Sequence, residues 1–388
     1  MTAPNILPVR LVSIDALRGV AAIGVVLYHT NATPGVDRSL LFGDAFDDTM
    51  FLGKYGVWLF FVISGFCIHL QWARAQVQPG ARPLTFGEFW RKRIRRLYPP
   101  YLATLAFYIA LRAYQGVLQL DGLSAWQVFL HMFMLQNLDP RAISTMNNVY
   151  WTLAVEEQLY LLYFVFLAVR RRWGWGAALA MGIAARVGWF ALALVLHRVW
   201  SIDIIVSQAA MVQWVIWIFG ALSVEAAFGL IRLPAVMKSL PAAGLLLAAA
   251  SLSVWAQNYW LGPGLLNDLI WFGAEVVWGA GFFVLVNWAV EQEQRGALLS
   301  RWAGTVKWFA GVGVFSYSLY LTHEIIEWHA WPLAAAWLER TGNLLPHIVV
   351  AAMLLVVCLA FARAFFEVFE KPFLSRSRMQ AAQPVVAA

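Results

Sequence analysis

The sequence predicts an all-α polytopic membrane protein of about ten spanning helices, with both termini cytoplasmic. Three observations carry that expectation. Hydrophobic residues make up 61% of the 388 and charged residues only 13%, where a soluble domain carries about 25% charged. Uninterrupted apolar runs repeatedly approach the roughly 20 residues that a spanning helix needs. Lysine and arginine collect in alternate connections, as the positive-inside rule requires.

Backbone polar groups in lipid have no water to bond, so each span is expected to be helical. In order, the spans are expected near 11–30, 54–72, 98–118, 149–169, 176–197, 208–229, 241–258, 267–288, 305–325 and 344–366. The piece LSAWQVFLHMFMLQ at 123–136 is too short to cross and is expected to be interfacial or re-entrant. The inside segments then hold Arg10, RKRIRR at 91–96, RRR at 170–172, Arg232, Lys238, Arg295, Arg301 and Lys307. The outside segments keep only Arg38, Lys54, Arg141, Arg198 and Arg340. No polar stretch is long enough to bury its own core, so 1–375 reads as one membrane domain and 376–388 as a frayed cytoplasmic tail. Asp15 and Arg18 interrupt the first apolar run, which argues against a cleavable signal peptide.

The formal charge of +7 follows from these cytoplasmic loops and needs no nucleic acid. Cys67 and Cys358 both lie inside apolar runs, which excludes a disulfide framework and a cysteine zinc site; no metal is expected. Most of the 21 tryptophans belong to interfacial belts, although Trp255, Trp260, Trp328 and Trp331 on the outer side are also suited to stacking on sugar rings.

Ionisable groups inside spans cost about 2.5–3.5 kcal/mol on insertion scales and mark function. In LRGVAAIGVVLYHT, Arg18 and His29 are 11 residues apart, three turns plus about 20°, hence on one face and about 16 Å apart. Asp15 is placed to pair with Arg18. In NNVYWTLAVEEQLYLLY, Glu156 shares a polar and aromatic stripe with Thr152, Tyr160 and Tyr163, whereas Glu157 shares one with Leu153, Leu161 and Phe164. Glu156 is therefore the expected cavity-facing carboxylate. RKRIRRLYPPY anchors a helix at the cytoplasmic face and also suits phosphates, which arginine forks match. YSLYLTHEIIE places Tyr320, His323 and Glu324 near the outer end of a late helix. Glu275 and Arg186 are further intramembrane charges with no assigned role.

These segments together resemble the membrane-bound acyltransferase family 3 of bacterial envelopes. The resemblance rests on IDALRGVAAIGVVLYH, FFVISGF at 60–66, RKRIRRLYPPY, YWTLAVEEQLYLLY, SYSLYLTH and FEKPF at 369–373, in the family's order over nearly the whole chain. It implies an O-acetyltransferase of the bacterial inner membrane that moves an acyl group from acetyl-CoA to a hydroxyl of an extracytoplasmic carbohydrate. By position it makes His29 the catalytic histidine with Arg18 its partner, Arg93 and Arg96 the RxxR element that takes the donor, and Glu156 the acidic member of the tryptophan motif. Tyr160, Tyr320, His323 and Asp15 are the expected substrate-binding groups. Some members carry an appended esterase-like domain; with only a short stretch after its last expected helix, this chain is expected to be a standalone version. That leaves open whether it finishes transfer itself, needs a separate periplasmic partner, or forms a homo-oligomer.

Histidine suits a general base because its reference pKa of about 6.5 lies near working pH. Glu156 is expected to orient it. A covalent acyl-histidine is the rival chemistry. A proton-coupled transporter fits the same intramembrane charges, but no internal repeat or pair of broken helices supports it. A lipid-phosphate-dependent glycosyltransferase would need an acidic outer loop, for which GDAFDD at 43–48 is a weak candidate. Ser64 is not expected to be a nucleophile.

Overall fold

The computed structural model describes residues 8, 10–32, 52–78, 80, 85–119, 121–262, 264–338 and 344–374. Arg38, the 43–48 loop, Arg340 and the 376–388 tail lie outside them, as does the Trp331 side chain. Every regular element among the described residues is helical. The helices are α1 (Val12–Ala32), α2 (Gly56–Val77), α3 (Phe86–Tyr114), α4 (Gly122–Met132), α5 (Trp151–Trp200) and α6 (Ala210–Ala227). They continue with α7 (Leu240–Tyr259), α8 (Leu265–Gln294), α9 (Ala297–Val314), α10 (Ser316–Leu338) and α11 (Leu344–Phe365).

Among the described residues, seven stretches are long and apolar enough to cross a membrane. The chain is a multi-pass membrane protein. Two expectations about helix boundaries change. The RRR run is no loop: α5 stays helical through it and bends at Gly174, whose φ of 82° favours a residue without Cβ. The apolar run 305–325 is not one helix, because α9 ends at Val314 and α10 restarts at Ser316. Between them Phe315 leaves helical geometry at φ −109° and ψ 20°.

The chain divides into two compact units, 64–224 and the remainder. In the unit formed by 1–63 and 225–388, α1 is the axis. Its first turn is capped from far away in sequence: Glu293 of α8 accepts from the Val12 and Ser13 amides, both at 2.8 Å. That carboxylate satisfies donors a helix start leaves bare and complements its dipole. Lipid gives no hydrophobic force between helices, so close backbone packing must hold them. A Cβ on Gly19 would lie 2.0 Å from the Phe309 carbonyl oxygen, and one on Gly313 would lie 1.8 Å from that of Asp15. Only glycine permits α1 and α9 this contact. Further along, Ala22 and Val26 are buried with Leu319 of α10 and Cys358 and Ala362 of α11.

The unit 64–224 is held by neutral polar bonds among buried groups. Gln158 of α5 and Asn137 exchange amide hydrogen bonds in both directions, at 2.6 and 3.3 Å. Tyr150 donates to Thr104 at 2.7 Å, Asn147 to the Tyr108 hydroxyl at 2.7 Å, and Tyr101 to the His131 carbonyl at 2.6 Å. Pro99 and Pro100 lie inside α3, where each removes a helical donor. The short α4 buries Leu130 and His131 and exposes Leu123, Trp126, Phe129 and Met132, the two-faced pattern of an interfacial helix.

Candidate active site

α1 carries both residues of the opening motif, and its neighbour α10 completes the group around one of them. The His29 and His323 rings lie 5.2 Å apart between centroids. One donor atom from each of His29, His323 and Glu327 falls within 4.8 Å of the others. His29 is half-buried, while His323 and Glu327 are closed off at 0% and 1% exposure. Thr30, next to His29 on α1, donates to Glu327 Oε1 at 2.9 Å and so ties the two helices together at this level.

The hydrogen bonds fix how these groups present themselves. His323 Nδ1 lies 3.1 Å from the Leu319 carbonyl. A carbonyl only accepts, so Nδ1 carries the hydrogen and Nε2 of the neutral ring offers a lone pair. Among the described residues, neither His323 Nε2 nor Glu327 Oε2 has a hydrogen-bond partner. Two histidines and a carboxylate are also a donor set that can hold a metal ion, and this is the one such group among the described residues.

Arg18 sits half-buried three turns below. Asp15 accepts from Arg10 at 2.5 Å, rather than from Arg18 as the three-residue spacing suggested. Among the described residues Arg18 forms no ion pair, and a guanidinium in that position has the geometry to take a carboxylate or a phosphate. Tyr320 is buried and its ring meets Phe60 at 6.0 Å and His323 at 5.8 Å. Glu275, an intramembrane charge without an assigned role, attracts Lys54 electrostatically.

The remaining expected residues form a second polar group inside the unit 64–224. Tyr160 donates to Glu156 at 2.7 Å, so the four-residue stripe read from the sequence is a real contact. Arg93 stacks on Phe89 and on Tyr160, with its guanidinium carbon 5.3 and 5.6 Å from the ring centres. Trp217 Nε1 donates to Ser64 at 3.4 Å. Glu157 is the buried carboxylate and accepts from Tyr98 at 3.1 Å. Arg96 is half-buried on α3. Arg186 donates to the Val212 carbonyl at 2.8 Å, a structural use for that charge.

Glu327 and Thr30 were missed by the sequence reading. Glu327 carried a signal, since it lies four residues after His323 and seven after Tyr320 and so shares their face. Glu324, the neighbour singled out instead, lies about 100° away from His323 around the helix.

Comparisons with known proteins point to acyl transfer. O-acetyltransferase OatA of Staphylococcus aureus is 32% identical over 177 residues, 42% of this chain and 25% of its own length. Peptidoglycan O-acetyltransferase OatA of Listeria monocytogenes is 28% identical over 204 residues, 45% of this chain and 27% of its own. Acyltransferase MdmB of Streptomyces mycarofaciens is 30% identical over 188 residues, 46% of this chain and 45% of its own. This chain therefore spans a quarter to under half of the relatives it matches. No solved structure matches. A family profile described as an acyltransferase domain matches residues 11–363. The match runs from the start of α1 to the last turn of α11, so the chain belongs to this acyltransferase domain family.

Proposed function

We propose that the protein transfers an acyl group, acetyl from acetyl-CoA, onto a hydroxyl of an extracytoplasmic carbohydrate, and that it does so in a bacterial inner membrane. The observation that carries this reading is the grouping of His29 with His323 and Glu327. In the proposed step, His29 takes the proton of the acceptor hydroxyl as its oxygen attacks the thioester carbonyl. The carbon–sulfur bond then breaks, and the CoA thiolate leaves with the proton from His29. Glu327 stabilises the imidazolium that forms in between. This is the part expected of Glu156, which in its own unit holds Tyr160.

Arg18 is proposed to hold an anionic part of the donor, because its guanidinium fork is half-buried and pairs with no described carboxylate. Arg93 and Arg96 are proposed to take donor phosphates from the basic start of α3. Tyr320 and His323 contact the acceptor. Asp15 acts at one remove, by fixing Arg10 at the base of α1.

The test is release of free CoA from acetyl-CoA by membrane vesicles carrying the protein. Release matched one to one by acyl ester formed on an envelope glycan supports the reading. Movement of a solute across the vesicle with no release of CoA would replace it with the transporter. An acyl-enzyme trapped in the absence of acceptor would keep the reaction and replace the direct transfer step.

A further inference from the structure

His323 is fully buried, its Nδ1 hydrogen is committed to the Leu319 carbonyl, and its Nε2 lone pair meets no donor among the described residues. A buried acceptor left unmade is costly, and such an atom beside a catalytic base is shaped for something absent from the folded chain alone. That something must bring an O–H or N–H donor. It must also reach this atom while its reacting group is at His29, since the donor atoms of the two histidines lie within 4.8 Å of each other.

We propose that the acceptor is a vicinal diol: one hydroxyl is acylated at His29 while the adjacent hydroxyl donates to His323 Nε2. Neighbouring hydroxyls on a sugar ring are spaced for two such acceptors at once. His29 is half-buried, whereas His323 and Glu327 are closed off from solvent. The hydroxyl held by His323 is therefore the deeper of the pair, and the acylated one is nearer the entrance. His323 is a positioning and specificity residue in this scheme. It takes no proton from the reacting oxygen. The proposal rests on His29-dependent acyl transfer and adds the substrate class.

The consequence is selective. A hydroxyl without a free hydroxyl neighbour leaves Nε2 unsatisfied, and sites built to bond a substrate hydroxyl discriminate strongly against analogues lacking it. Acylation of one member of a pair also removes the pair, so each diol accepts one acyl group.

The experiment uses vesicles bearing the full chain, labelled acetyl-CoA, and the envelope glycan fraction that takes label only with intact His29. Half of that fraction is first treated with periodate and borohydride, which cleaves between vicinal hydroxyls and leaves isolated hydroxyls intact. The proposal predicts that treated glycan stops accepting label. It also predicts that His323→Phe raises KM for untreated glycan about tenfold or more with a smaller change in kcat, while His323→Gln, which restores an acceptor atom, recovers most of it. Undiminished labelling of treated glycan, or a KM unmoved by both substitutions, overturns the proposal and leaves the transferase standing. Loss of labelling with a chelator and its return with added zinc or manganese also overturns it, by making the three side chains metal ligands. Absence of His29-dependent label in untreated glycan removes the transferase reading and the diol with it.

Discussion

The Asn137 network and the His29 cluster, one in each unit of this protein, are built differently. In the unit 64–224, Asn137 and Gln158 satisfy each other in both directions, and Tyr150, Thr104, Asn147 and Tyr108 are paired through neutral groups. Around α1, an imidazole, a second imidazole and a carboxylate converge, and two of their acceptor atoms meet no donor among the described residues. Neutral paired bonds in an apolar setting specify a structure at little cost. Unmade buried acceptors occur in both units, His131 Nε2 and Gln136 Oε1 among them; what sets the α1 cluster apart is that two imidazoles and a carboxylate gather within 4.8 Å, a costly arrangement in a membrane span. On this contrast rests the proposal that the α1 and α10 cluster does the chemistry while the Asn137 network serves as scaffold.

Substitutions in the His29 cluster and in the Asn137 network should have different consequences. His29→Ala should have the largest effect on transfer, a fall of about 10²–10⁴-fold with unchanged membrane abundance, measured as acyl incorporation. Glu327→Gln keeps the size and the Thr30 contact but removes the charge. It should lower kcat by on the order of 10² with little change in KM for either substrate.

Arg18→Ala should act on the donor, raising KM for acetyl-CoA by roughly 10–100-fold, with partial recovery in Arg18→Lys. On the scaffold side, Tyr150→Phe should leave the kinetic constants in place. It should lower stability by about 1 kcal/mol, read as a small drop in Tm in detergent.

The smallest expected effect is electrostatic and lies outside the spans. The hydrogen bonds from Arg141, and then from Trp126, hold the Asp139 carboxyl well below the usual carboxylate range. A depressed carboxylate stabilises the fold above its unfolded pKa and loses that contribution as the pH falls through the folded one. Asp139→Asn should therefore cost under about 1 kcal/mol at neutral pH and nothing in strong acid, because the pair is exposed.

Much of this was legible in the sequence where the signal was local. The Arg18 and His29 spacing, the Glu156 and Tyr160 stripe, and the limits of α1, α7 and α11 all follow from residues near one another in the chain. What could not be read depends on distant partners. The cap on α1 comes from Glu293, some 280 residues away, and nothing near Val12 announces it. Nor does a uniformly apolar run reveal its inward face, which is why the restart at Ser316 was invisible and Glu324 was preferred to Glu327. Asp15 shows the same limit, since spacing offered Arg18 and the folded chain supplied Arg10.

The most direct test of the central claim is acyl incorporation from labelled acetyl-CoA into separated envelope fractions, comparing wild type with His29→Ala at equal membrane abundance. Label should enter a glycan fraction with the wild type and be nearly absent with the variant. Equal labelling by both proteins would contradict it, because His29 would then not be the base and the cluster around it would not be the active site.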